Sequence, residues 1–285
     1  MPELSLGALE RRTPSAVGLT RLSTRMAFPA SGEALYRSVV RLAALTPESE
    51  FLLVPSGRGK SVRFVAEASG ASGAGADPDA QMVAVATDRA KAEGLNSRLQ
   101  FEEAPLHDLP YQDQVFDLAV AEIELAAAPD PAKVLGELVR VTRSGGMIVL
   151  IQLVWLNPLD RSRREALVKR LGIRPRMVVE WRQMLREAGV ADLQVEDWSD
   201  DSAAARRLPV LGGLEALFTL RGKLLLLPRA WRRWGWPGVR AVLSRERELR
   251  RLLNQERVLG IVVIRGRVVD RNGEQAANPS TRSPF

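Results

Sequence analysis

Chemistry is most densely suggested between Phe51 and Lys60. The apolar run Phe51 to Val54 breaks into Pro55-Ser56-Gly57-Arg58-Gly59-Lys60, and a helical pattern follows. Strand, glycine loop and helix in that order is how an α/β sheet offers backbone N–H groups and a helix N-terminus to a ligand. Gly59-Lys60-Ser61 also ends a phosphate-loop motif, but that motif needs a glycine five residues before Gly59, and Val54 stands there. Arg58 and Lys60 would attract an anion or lie solvated beside the loop. His107 is the one histidine, which excludes paired-histidine metal sites and serine–histidine catalysis. Geometry alone could make it a general base; otherwise it is an exposed loop residue. Glu122 and Glu124 follow the apolar run Val115 to Ala121, at the strand end where such sheets bind ligands. One of them could take a proton from a substrate hydroxyl, or both could be rim charges. With no cysteine, thiolate chemistry, disulfides and cysteine–zinc sites are excluded.

The elements that must hold these residues alternate. Gly32 to Leu45 spaces Leu35, Val39, Leu42 and Leu45 on one helical face. After the strand 51–54 comes a helix from Lys60 to about Ala68. Ala71 to Ala76 is a poor strand by propensity, yet it ends in Asp77-Pro78 before a helix over 79–93. Strands are expected at 98–102, 115–121 and 147–154, helices at 131–142 and 178–188, and β-rich stretches at 193–196 and 259–268. The alternation predicts a doubly wound, mainly parallel α/β sheet. Residues 1–32 read as an N-terminal arm, 33–198 as the sheet domain and 199–256 as a helical insert. Residues 257–269 return as the last strand, and 270–285 read as a disordered tail.

Four stretches fall into one register: FLLVPSGRG, GADPDAQMVAVA, FEEAPLHDLPYQDQVFDLAVAEIEL and APDPAKVLGELVRVTRSGGMIVL. Together they resemble the class I S-adenosylmethionine-dependent methyltransferases, in particular the type 11 group acting on small molecules. Asp108-Leu109-Pro110-Tyr111 to Phe116-Asp117 and the Arg140 to Gly146 turn are the most specific parts. The resemblance covers about 33–198 and implies a Rossmann-like sheet of seven strands, with 259–268 as its antiparallel seventh. It implies S-adenosylmethionine as cofactor, with Gly57 and Gly59 in the loop and Asp77 on the ribose hydroxyls. Asp77 is equally suited to cap the helix that follows. The chain departs from the family pattern at Leu53, where the first strand has an acidic residue, and at Pro55, which replaces the first loop glycine and lacks an N–H donor. It departs again at Pro105, in place of an aspartate toward adenine, and at Leu125-Ala126-Ala127, in place of Leu-His-His.

Charge is concentrated. The net charge is +7, while residues 221–251 hold ten basic and two acidic side chains, so the remainder is near neutral. Within that segment Arg229, Arg232, Arg233 and Arg240 interleave with Trp231, Trp234 and Trp236. Such a surface suits an anionic membrane face, a protein partner or nucleic acid, of which nucleic acid is the least favoured, or it covers a substrate cleft as a lid. No run is long and apolar enough to span a membrane, and residues 1–32 lack the apolar segment of a secretory signal, so a cytoplasmic protein, or one peripheral on the cytoplasmic membrane face, is expected. Two functions remain open: methyl transfer to a small apolar acceptor, with His107, Glu122 or Glu124 as base, or a non-catalytic methyltransferase-like subunit docked on a larger assembly.

Overall fold

The computed structural model describes Leu19, residues 33–199 and residues 220–269. The rest of the expected arm, the expected tail and residues 200–219 lie outside the described residues. One seven-stranded sheet runs in the order β3-β2-β1-β4-β5-β7-β6. Its strands are β1 Glu50–Val54, β2 Ser72–Asp77, β3 Leu99–Glu103, β4 Phe116–Ala121, β5 Thr142–Trp155, β6 Val190–Asp197 and β7 Leu259–Val268. Strands β1 to β5 pair parallel, and β7 runs antiparallel between β5 and β6. This is the doubly wound sheet the alternation predicts.

β1 is central. Leu52 registers with Ala74 on β2 and with Ala119 on β4, and Phe51 to Val54 are all fully buried. A strand covered on both faces must be apolar at every position, which is why it reads as an unbroken hydrophobic run. The chain order reverses between β1 and β4, so the crevice beyond their C-terminal ends is the topological switch point where open α/β sheets bind ligands.

The poor propensity of β2 has a packing cause. A Cβ on Gly73 would stand 2.4 Å from the Phe51 ring, and one on Gly75 would stand 2.5 Å from Ser56 Cβ. β2 is made of small residues because β1 and its loop fill the space that side chains would take.

Helices cover the sheet: α1 Glu33–Ala43, α2 Lys60–Ser69, α3 Ala80–Ala92, α4 Pro131–Val141, α5 Arg161–Leu171 and α6 Val178–Glu187. α5 is an addition to the expected set. It buries only Leu167 and Leu171 and is otherwise polar, so its periodicity is faint; its clearest signal is Asp160, which caps it by accepting from Arg163 N at 2.8 Å. β5 starts at Thr142, five residues earlier than expected, because Thr142 already pairs with Phe116 across a register shift. Between β6 and β7 the expected helical insert contains two helices, α7 Leu220–Trp234 and α8 Trp236–Arg250, folded into a hairpin at Gly235, whose φ is +61°. The hairpin has a small core of its own: Leu226, Ala230, Ala241 and Val242 enclose Leu19 of the N-terminal segment.

Candidate functional site

Asp77 ends β2 and is almost fully buried. Its Oδ2 accepts from Gly57 N and its Oδ1 from Asp79 N, both at 2.9 Å. Capping of α3 falls to Asp79, which accepts from Gln81 N at 3.0 Å. Asp77 therefore braces the β1 loop from the end of β2. The loop itself spends its donors inside the protein: Ser56 N donates to Ala76 O and Gly59 N to Ser56 O, alongside the Gly57 bond to Asp77. These three amides are not available to a ligand, in contrast to the usual glycine loop. What the loop contributes is shape. A Cβ on Gly57, at φ +50°, would meet nothing within 4 Å, whereas one on Gly59 would strike Phe101 and Ala86 at about 3 Å. Gly57 faces open space, and Gly59 lets α2 pack on β3 and α3. At the positions that depart from the family pattern, Leu53 is fully buried in the core, Pro105 is exposed after β3, and Ala126 is buried while Ala127 is half-buried.

Glu122 is not a rim charge. It follows β4 directly, is buried, and its N–H donates to Val54 O at 2.8 Å beside the start of the loop. The Tyr36 hydroxyl from α1 and Ser61 Oγ from the first turn of α2 both donate to its Oε1, at 2.7 and 2.6 Å. Gln152 Nε2 on β5 donates to its backbone carbonyl at 2.9 Å. Burial raises the Glu122 carboxyl to about 7, against the two hydroxyls that favour its charged form; the negative charges of Glu124 and Asp77 add to the rise. Burial also drives the Tyr36 hydroxyl upward, so it stays a neutral donor. A carboxyl held near neutrality at a switch point can both accept and return a proton. Glu124, half-buried on the 3₁₀ turn Ile123–Ala127, adds its negative charge to the field at Glu122.

Tyr36 and Ser61 are functional neighbours that sequence reasoning missed. Tyr36, one of two tyrosines, lies next to Leu35 and Val39 on the buried face of α1 and reads as core packing. Ser61 appears only as the end of a failed phosphate-loop motif.

His107 lies elsewhere. It is exposed in the loop after β3, and its positive form helps to keep the Glu137 carboxyl on α4 low, behind the larger effect of Arg140. The family phrase around it is a latch. Arg140 donates to Leu109 O, Tyr111 O and Asp113 Oδ1 at 3.1, 2.8 and 2.7 Å, and pairs with Glu137, which in turn accepts from Leu109 N. Asp117 ties β4 to its surroundings by accepting from Glu50 N and Arg143 Nη1. The residues most specific to the family pattern thus hold the β3–β4 loop against α4.

The insert splits by face. Trp234 packs behind the hairpin with Arg233 over its ring at 5.4 Å, while Trp231 and Trp236 point outward with Arg232, Arg233 and Arg240 exposed beside them. Leu226 and Trp234 thus serve the hairpin's own core, while Trp231 and Trp236 are exposed. Arg229 acts electrostatically on Arg58, whose guanidinium is lowered first by burial and then by Arg89 and Arg229, so α7 stands near the β1 loop. Ion pairs of Arg170 with Glu248 and of Arg163 with Glu256 fasten the hairpin end to α5.

Residues 52–150 match the family model of the methyltransferase domain. Methyltransferase GfsG of Streptomyces halstedii is 32% identical over 130 residues, which is 46% of this chain and 47% of that protein. Sarcosine/dimethylglycine N-methyltransferase of Halorhodospira halochloris is 26% identical over 170 residues, 58% of this chain and 61% of that one. The chain thus spans about half the length of the curated relatives it matches. Among solved structures, phosphoethanolamine N-methyltransferase 2 of Haemonchus contortus, in complex with S-adenosyl-L-methionine, superposes with a TM-score of 0.71 at 15% identity. That superposition covers 94% of this chain and 60% of the other, and at this identity it is a likeness of fold. Residues 52–150 thus carry a match to the methyltransferase domain, and the chain as a whole shares its fold with methyltransferases of known structure.

Proposed function

We propose that the protein transfers a methyl group from S-adenosylmethionine to a small apolar acceptor, at the C-terminal ends of β1, β2 and β4. The observation that carries this reading is the buried carboxyl pair at the switch point. Asp77 holds Gly57 N, the Glu122 N–H holds Val54 O beside the same loop, the two carboxyls act on one another, and no basic group is among those that shift Glu122. A negative, partly apolar crevice with room against a bare Cα fits a ligand that carries a sulfonium, an ammonium and a ribose diol. When bound, the cofactor supplies an electrophilic methyl group.

The chain's own residues would do the rest. Asp77, at the end of the second strand, accepts hydrogen bonds from vicinal hydroxyls, as the acidic residue of dinucleotide folds does. Gly57 lets the ligand lie against the backbone. Glu122, ionised, receives the proton that the acceptor's nucleophilic atom gives up, and Tyr36 and Ser61 hold its Oε1 and stabilise the carboxylate that precedes the transfer. The gain from holding two reactants in line is the main rate effect. Ile123, Leu125 and Ala126, which follow Glu122 in the buried core, give its carboxyl apolar surroundings. Glu124 stands beside Glu122 as a charge that keeps the proton on it.

A second reading, a non-catalytic subunit that keeps the fold as a scaffold for a larger assembly, is favoured by one feature. The amides of Ser56, Gly57 and Gly59 are spent within the protein, and Leu53 gives the loop no carboxylate. Calorimetry with S-adenosylmethionine and with its demethylated product separates the two. Saturable heat with either ligand supports the enzyme, and none at millimolar concentration leaves the scaffold.

A further inference from the structure

The α7–α8 hairpin turns large apolar side chains outward, exposed among the described residues. Leu226, Ala230, Ala241 and Val242 turn inward onto Leu19 and form a cluster separate from the main core. On α8, Trp236, Arg240 and Leu243 are spaced i, i+4 and i+7, which places them on one face. Trp236 is 63% exposed and Leu243 49%, and Trp231 of α7, 48% exposed, meets the Trp236 ring edge-on at 5.1 Å. The result is a pair of touching indoles with an exposed leucine on the same face of α8, and Arg232, Arg233 and Arg240 are exposed on the same two helices. The segment 221–251 that carries it holds ten basic and two acidic residues.

We propose that this face docks on an anionic lipid surface, with the hairpin lying flat at the headgroup level. Indoles prefer that depth because the ring is apolar and its N–H is polar, and the arginines can hold their stems along apolar surface while meeting lipid phosphates. Charge complementarity selects lipid with a net negative headgroup over neutral lipid. Leu243, and the edge-to-face packing that covers one indole with the other, favour a lipid boundary over stacked bases, which require open aromatic faces. Among the described residues no helix is long and apolar enough to cross a membrane, so the contact is one of lying on the surface. This docking does not depend on methyl transfer.

The test uses the full chain and sedimentation with vesicles of phosphatidylcholine, alone or mixed with phosphatidylglycerol. Binding to the mixed vesicles, at least about 10-fold tighter than to phosphatidylcholine alone and weakened by salt, is expected. Replacing Arg232, Arg233 and Arg240 together by Gln should weaken it roughly 100-fold, from about a fivefold share per basic residue at the surface. W231S/W236S should also weaken it by about tenfold or more, with an unchanged melting temperature because both rings are outside the core. Equal binding to both vesicle types, binding to neither, or wild-type binding by both variants would each overturn the proposal. So would a preference for duplex DNA over the mixed vesicles.

Discussion

Replacing Glu122 by Gln tests the buried proton directly. The amide keeps the side chain's shape and an oxygen that can accept from Tyr36 and Ser61, but it cannot titrate. In the folded protein the Glu122 carboxyl is raised from the ordinary 4.5 to about 7. Its contribution to stability is therefore fully present below pH 4.5, where folded and unfolded chains both hold the proton. It is lost as pH rises, because the unfolded chain ionises first, and the loss is complete above about pH 7. At 1.36 kcal/mol per pKa unit the difference is worth roughly 3 kcal/mol. Urea unfolding of both proteins between pH 5 and 8.5 should show the variant gaining on the wild type as pH rises, with most of the gain in place by pH 7.5. If activity is assayed alongside, the wild-type rate should rise to a plateau above about pH 7 while the variant loses roughly 100-fold or more and the limb with it. Unfolding curves that stay parallel across the range would refute the argument, since they would mean that Glu122 ionises like an exposed carboxylate.

Other perturbations reach the elements that position this carboxyl. Arg140→Ala removes bonds to Leu109, Tyr111 and Asp113 and leaves Glu137 unpaired; a loss of about 2–4 kcal/mol in urea unfolding is expected, and a change below about 1 kcal/mol would show that the latch is decorative. Gly75→Ala drives a methyl into Ser56 Cβ and should cost about 1–3 kcal/mol while shifting the β1 loop, measured by thermal melting and by ligand titration together. Gly57→Ala meets no atom and should cost only about 1 kcal/mol of backbone strain, so equal losses for the two glycines would contradict the packing argument.

The sheet was legible because β1 and β5 are long apolar runs and because glycine and proline mark the turns between the alternating elements. Asp77 was legible as a residue, but its two possible duties separate only in three dimensions, where Asp79 takes the cap and Asp77 takes Gly57. Glu122 was legible as a position and misleading as an environment. A carboxylate after a strand reads as a rim charge, and nothing in its neighbourhood announces partners 86 and 61 residues away. Tyr36 is hidden by its own periodicity, since a hydroxyl on the buried face of an amphipathic helix has the pattern of core. The faces of the insert were equally hidden. Leucine, tryptophan and arginine at close spacing fit a lid or a ridge, and the burial of Trp234 beside the exposure of Trp231 and Trp236 is settled by how α7 and α8 cross. Leu19 had no signal at all, because a lone leucine in an aperiodic arm declares no partner.

The most direct measurement of the central claim is calorimetric titration of S-adenosylhomocysteine into the wild type, Asp77→Ala and Asp79→Ala, side by side. Asp77 touches the ligand in the proposed site, while Asp79 caps α3 and has no part in the proposed contact. Binding by the wild type in the range of about 1 μM to 1 mM typical of enzyme ligands, loss of at least about tenfold in Asp77→Ala, and near-wild-type binding by Asp79→Ala are the predicted result. No binding by the wild type, or equal binding by all three folded proteins, would contradict it.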